Sequence, residues 1–226
     1  MISRPTSDEK VIIIGNSPTV LEEENGDFID SHDIVIRINH CPVEGYEKFI
    51  GKKIDIWSTT KNSIFKDKFY PEDFSKLKYV WHRTGRTKLR SSIPDFPEIK
   101  SHIMFKTPDF VRNFGNLVDE NWYLTGTDQE PCTGLLTILT STLFYSDVTI
   151  TGFTFYEEKN IDPSIDYSYY RKDQAKHGYH PEDEHWNLAS KLGFTGVEVC
   201  NRKKEIINEL SEKGLIKILK RGDKIR

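Results

Sequence analysis

Val11-Ile-Ile-Ile14-Gly15-Asn16-Ser17-Pro18 is the stretch on which the fold turns. Four β-branched apolar residues in a row read as a strand buried on both faces, and the Gly-Asn-Ser-Pro that follows reads as a tight loop. The pattern then repeats down the chain. Residues 33–38 (Asp-Ile-Val-Ile-Arg-Ile) give a second strand, residues 53–57 a third, and the alternating residues 76–81 a fourth. Residues 134–145, rich in Leu and Thr, read as a buried helix, and residues 147–152 as another β-branched strand. Residues 184–192 read as a helix with Pro181 near its start, where proline is tolerated. Residues 196–200 (Gly-Val-Glu-Val-Cys) read as the last strand. Strands alternating with helices predict an α/β domain with a mostly parallel sheet flanked by helices.

Ligands of such sheets bind outside the carboxyl ends of the strands. That rule sets residues 15–18, 39–42, 58–61 and 153–156 along one rim. Residues 62–130 look irregular. Residues 157–180 are polar, tyrosine-rich and too long for an ordinary connection, so they read as a lid-like loop.

At 226 residues the chain suits a single domain spanning 1–226, with core enough to need no staples. A net charge of −3 offers no basic field, which argues against nucleic acid as a partner. Cys41, Cys132 and Cys200 are odd in number and irregularly spaced, as reduced thiols would be. The first ten residues lack an apolar signal core, and no apolar run approaches a membrane span. The expectation is a soluble, cytoplasmic protein. The basic tail, 203–226, interleaves Ile and Leu with Lys and Arg. It reads either as a packed helix with a solvated basic face or as a peripheral membrane contact.

Gly15 would let backbone approach a phosphate or ribose, with Asn16 and Ser17 supplying hydrogen bonds. A simple turn accounts for the three residues equally well. Neither a Gly-x-Gly-x-x-Gly nor a Gly-x-x-x-x-Gly-Lys pattern occurs, which disfavours a nicotinamide, flavin or P-loop site. Asp30, His32 and Asp33 read as ties at the start of the second strand, whereas Asn39, at its carboxyl end, reads as a ligand contact.

Taken together, Gly15-Asn16-Ser17, Gly26, Asp30, His32-Asp33, Val35, Arg37, Asn39, Pro42, Gly45-Tyr46-Glu47, Gly51 and Lys53 resemble the large sialyl motif of glycosyltransferase family 29. Pro131-Cys132-Thr133-Gly134, followed by Asp147-Val148 and Gly152-Phe153, resembles the small motif, with Cys132 in place of the usual Ser. His180-Pro181 resembles the very small motif, and Glu184 falls one residue short of its glutamate. Tyr167, Tyr169 and Tyr170 stand where that family has a short aromatic motif. Gly152, Phe155 and Tyr156 also resemble the bacterial sialyltransferases of family 42. Many members of family 29 join the two larger motifs by a disulfide. Lys10 or Val11 and Ser146 stand at those positions here, which agrees with a cytoplasmic enzyme.

The resemblance implies a Rossmann-like domain, a GT-A variant. It implies an inverting, metal-independent transfer of sialic acid from CMP-sialic acid to a hydroxyl of a glycan or glycolipid acceptor. His180 is then the general base. Tyr156, Tyr169 and the amides of Thr133 and Gly134 serve the leaving phosphate, and Gly15, Asn16, Ser17, Asn39, Thr60 and Phe153 hold the donor. The CMP-sugar is a co-substrate, and no cofactor is implied. A transferase using CMP-Kdo fits the same residues, as does a non-catalytic CMP-sugar-binding protein. His177, His180 and His185 lack the spacing of a helical metal site. Cys132 with His180 would make a thiol–imidazole pair, but the resemblance reads Cys132 as a substituted small residue.

Overall fold

A computed structural model describes residues 7–60, 77–83, 100–103, 132–154, 196–219 and 222. Seven strands form one sheet: β1 (Ser7–Ile14), β2 (Ile34–Ile38), β3 (Ile56–Thr60), β4 (Tyr79–Arg83), β5 (Lys100–Ile103), β6 (Tyr145–Thr151) and β7 (Lys217–Ile218). Their order is β5-β4-β3-β2-β1-β6-β7, and every pairing is parallel. The order reverses between β1 and β6, so the topological switch point lies at their carboxyl ends.

The apolar run in β1 divides by alternation. Val11 and Ile13 join the core beneath α3 (Thr133–Phe144) and α4 (Gly196–Glu212), while Ile12 and Ile14 pack on the opposite face. On that second face they meet Ile29 of α1 (Gly26–Asp30) and Ile50 of α2 (Glu47–Ile50). The α3 helix is buried all round, and its hydroxyls turn back onto its own carbonyls. Ser141 Oγ donates to Thr137 O at 2.8 Å and Thr142 Oγ1 to Leu139 O at 2.8 Å.

Several strand and helix bounds differ from the expected ones. The third strand starts at Ile56 rather than residue 53 because its lead-in serves other groups. Lys53 O accepts from Arg37 Nε at 3.0 Å, and the Asp55 carboxylate accepts from Val35 N at 2.9 Å. The fourth strand starts at Tyr79, and the sixth starts two residues early, at Tyr145, directly after the helix.

Three expectations are corrected. Residues 62–130, read as irregular, contain the edge strand β5. Residues 196–200, read as the last strand, are the first turns of α4. The stretch 203–226, read as a helical tail, instead supplies the end of that helix and the true last strand, β7. Ile206, Ile207 and Leu210 are buried in the core, so the apolar side of this segment is already used. Among the described residues no helix is long and apolar enough to cross a membrane. The expected helix at 184–192 and the lid at 157–180 lie outside the described residues.

Much of the large motif is scaffold. Asp30 accepts from Lys52 N and Lys53 N, both at 2.9 Å, and so fixes the turn at Gly51, whose φ is +68°. Asp33 accepts from Lys10 N at 2.9 Å and ties β2 to β1, while His32 Nδ1 lies 3.0 Å from Phe28 O. Lys53 Nζ donates to Asp33 O at 2.9 Å. These contacts match the reading of Asp30, His32 and Asp33 as ties at the start of the strand.

Candidate functional site

The switch point is closed by two glycines. Gly15 N donates to Thr151 O at 2.8 Å and Ser17 N to Gly152 O at 3.1 Å, which stitches the loop after β1 to the end of β6. A Cβ on Gly15 would run into the Gly152 carbonyl, and Gly152 itself has a φ of +72°. The glycine at position 15 is therefore an absolute packing requirement, whatever binds beside it. Ser17 is buried, and its Oγ accepts from Thr19 N at 3.3 Å and Thr19 Oγ1 at 3.0 Å, capping the 3-10 turn Pro18–Leu21. Asn16 bridges to the next strand: its Nδ2 donates to Ile38 O at 3.1 Å. That leaves the Asn16 Oδ1 as the acceptor on this amide for a ligand.

Asn39, just beyond β2, adopts the left-handed conformation, with φ of 52°. Asparagine tolerates this better than other side-chained residues. The backbone is held from β3 at both ends: Asn39 N donates to Ser58 O at 2.8 Å, and Trp57 Nε1 donates to Asn39 O at 2.7 Å. Sequence reasoning missed this tryptophan clamp. Its only trace in the sequence is an indole at a strand position, which core packing explains as well.

The third wall is the start of α3. Cys132 precedes the helix with no side-chain cap, so first-turn amides at Thr133 and Gly134 are not taken by it. Thr137 Oγ1 donates to Thr133 O at 2.7 Å and lies 2.6 Å from Ser58 Oγ, locking the helix start over β3. Gly134 is required for a close approach. A Cβ there would lie 3.0 Å from Phe153 Cε1 and 4.0 Å from Ile38 Cδ1. The Phe153 ring thus joins the helix start to the end of β6.

The structure brings Gly15, Asn16, Ser17, Asn39, Thr133, Gly134 and Phe153 to this one rim. Thr60 ends β3 on the same rim, paired with Arg83 of β4. His180, Tyr156 and Tyr169 lie outside the described residues. The partner of Gly15, Gly152, was legible as a motif glycine after a β-branched strand, but not as the residue facing Gly15.

Residues 4–197 match the family model described as glycosyltransferase family 29 (sialyltransferase). The chain belongs to glycosyltransferase family 29. This family 29 chain is 26% identical over 201 residues to a mouse CMP-N-acetylneuraminate-beta-galactosamide-alpha-2,3-sialyltransferase 1, covering 80% of this chain and 55% of that protein. The human protein of the same name is 29% identical over 161 residues, covering 62% and 43%. A beta-1,6-galactosyltransferase, GALT29A of Arabidopsis thaliana, is 48% identical over 52 residues, or 23% of this chain and 13% of that one. The family 29 chain spans about half the length of the sialyltransferases it matches. A crystal structure of a mammalian sialyltransferase shares the fold, with a TM-score of 0.54 at 22% identity, covering 95% of this chain and 70% of the other. The likeness to family 42 rested on Gly152, Phe155 and Tyr156, of which the last two lie outside the described residues, and the family matched is 29.

Proposed function

We propose that this family 29 chain transfers sialic acid from CMP-sialic acid to a hydroxyl of a galactoside-bearing glycan, with inversion at the anomeric carbon. The observation that carries this reading is the convergence of Gly15–Ser17, Asn39, Thr133–Gly134 and Phe153 on one rim at the switch point. The matched sialyltransferases, whose names specify a CMP-linked donor and a galactose-containing acceptor, support the choice of substrates.

The chemistry follows from the groups available. The acceptor oxygen attacks the anomeric carbon as the bond to the CMP phosphate breaks. His180 takes the hydroxyl proton, a task suited to imidazole near neutral pH. The negative charge that grows on departing CMP is met by the open first-turn amides of α3, with Tyr156 and Tyr169 as hydroxyl donors. Asn16 and Asn39 hold the nucleotide, and the buried Ser17 keeps the loop in shape. The test is incubation with CMP-sialic acid and lactose, followed by mass spectrometry of the sugar. A sialylated product is expected; CMP-sialic acid left intact would overturn the reading.

A second donor deserves a control, because a galactosyltransferase shares 48% identity over 52 residues with this chain. CMP-Kdo and UDP-galactose therefore belong in the same assay, and each is expected to give less product than CMP-sialic acid. A protein that binds CMP-sugars without turning them over would show CMP affinity and no product from any donor.

Two further outcomes are expected. Asn16→Ala should weaken donor binding by roughly 1–3 kcal/mol, read as a raised donor KM, because a polar group of the nucleotide loses its partner. An unchanged KM would make Asn16 a bridge to β2 and nothing more. Turnover should also persist in excess EDTA, since the leaving phosphate is served by amides and tyrosines. Loss of activity in EDTA with recovery in Mg²⁺ or Mn²⁺ would require a different mechanism.

A further inference from the structure

Two consecutive residues of β3 reach the two sides of the donor rim. Trp57 and Ser58 are 1% and 0% exposed, and strand alternation sends their side chains to opposite faces of the sheet. Trp57 Nε1 donates to Asn39 O at 2.7 Å, just beyond β2. Ser58 Oγ lies 2.6 Å from Thr137 Oγ1, one turn into α3. We propose that Trp57 and Ser58 are positioning residues for the transfer, an assignment that rests on the transferase reading above. Trp57 sets Asn39 for the nucleotide, and Ser58 sets the amides of Thr133 and Gly134 for the leaving phosphate.

Packing alone does not account for either residue. The Trp57 ring sits among Ile54, Leu77 and Val80, where a phenyl ring would also bury apolar surface. What an indole adds is an N–H. That N–H is spent on Asn39, whose backbone is in the left-handed region with φ of 52°. An asparagine held there sends its side chain in a direction that ordinary strand backbone does not. The bond from Asn39 N to Ser58 O is backbone to backbone and survives any substitution at position 57. The indole is therefore the part of this clamp that depends on residue type.

Ser58 shares its face of β3 with Ile56 of the main apolar cluster. A hydroxyl buried there must be hydrogen-bonded to be tolerated. Thr137 Oγ1 gives its proton to Thr133 O at 2.7 Å, so Ser58 supplies the proton of the Ser58–Thr137 pair. This relay ends on the carbonyl of Thr133, whose amide is assigned to the leaving phosphate. One strand thus fixes both the helix start and Asn39, and with them the spacing between the nucleotide and phosphate contacts.

The test is calorimetry of CMP and of cytidine, which lacks the phosphate, on wild type, Trp57→Phe, Ser58→Ala, Asn39→Ala and Trp57→Phe/Asn39→Ala. Thermal denaturation of each variant checks that it is folded. Trp57→Phe is expected to weaken CMP binding about fivefold. On the Asn39→Ala background the same change should cost less than about twofold, because its effect passes through Asn39. Ser58→Ala should weaken CMP about fivefold and cytidine by less than about twofold, since only the phosphate meets α3. In the wild type, titration with CMP should shift the NMR signal of the Trp57 indole N–H saturably. Trp57→Phe that binds CMP as wild type does, or loses as much on both backgrounds, would make Trp57 a core residue only and overturn the proposal. So would Ser58→Ala that weakens cytidine as much as CMP, or an indole signal untouched by saturating CMP. A wild type that binds no CMP would instead sink the donor reading beneath the proposal.

Discussion

Arg37→Leu is expected to cost the fold roughly 3–5 kcal/mol, because three buried carbonyls lose a charged donor. Arg37 is 1% exposed although it lies on a strand of a parallel sheet. Its Nη2 donates to Ile50 O at 2.7 Å and Gly51 O at 3.0 Å, and its Nε to Lys53 O at 3.0 Å. The guanidinium closes the carboxyl end of α2, where helix carbonyls have no partner of their own. For a chain of this size the loss corresponds to a fall in Tm of roughly 6–20 °C, measurable by thermal denaturation. Arg37→Lys keeps the charge without the fork and should fall between wild type and Arg37→Leu. A Tm of Arg37→Leu within about 2 °C of wild type would show that the carbonyls find other donors.

His180→Ala should act on rate and leave the fold alone. If His180 takes the acceptor proton, its loss lowers transfer by roughly 10²–10⁴, the usual span for a general base. CMP affinity should stay near wild type, because the nucleotide contacts proposed above are those of Asn16, Asn39 and α3. The wild-type rate should fall on the acid side as the base becomes protonated, and the variant should lack that limb. Retention of more than about a third of wild-type turnover at saturating donor would move the base to His177, His185 or Glu184.

These two residues also mark what the sequence discloses. Strands β1, β2 and β6 were legible because their buried stretches are rich in β-branched residues, with Arg37 the one interruption in β2. The same rule misled at 196–200, where Val197 and Val199 alternate over a stretch too short to separate strand from helix. The apolar spacing of Ile206, Ile207 and Leu210, with buried Lys203 at the matching offset, belongs to one helix that runs back to Gly196. β5 escaped notice because Lys-Ser-His-Ile carries a single apolar side chain. An edge strand shows little of the burial signal.

Within the motif, the sequence set Asp30 and Asp33 apart as ties, but it gave Arg37 and Lys53 no such role. Asp30, Asp33, Arg37 and Lys53 bind backbone and build the sheet's supports. Asp55, 5% exposed between Lys53 at 3.6 Å and Lys78 at 3.3 Å, belongs with them and drew no attention in the sequence. A carboxylate that accepts from a strand amide looks the same on paper as one that meets a ligand. The positive φ of Asn39 and the facing pair Gly15 and Gly152 needed coordinates, because they depend on which strands become neighbours.

The central claim is that the rim at the β1–β6 switch point holds a CMP-sugar donor. Calorimetric titration of CMP into the protein, repeated with UDP, tests it most directly. The account predicts saturable CMP binding, with UDP weaker by about tenfold or more, as a site built to hydrogen-bond one base rejects another. No CMP binding, or UDP binding as tight as CMP, would contradict it.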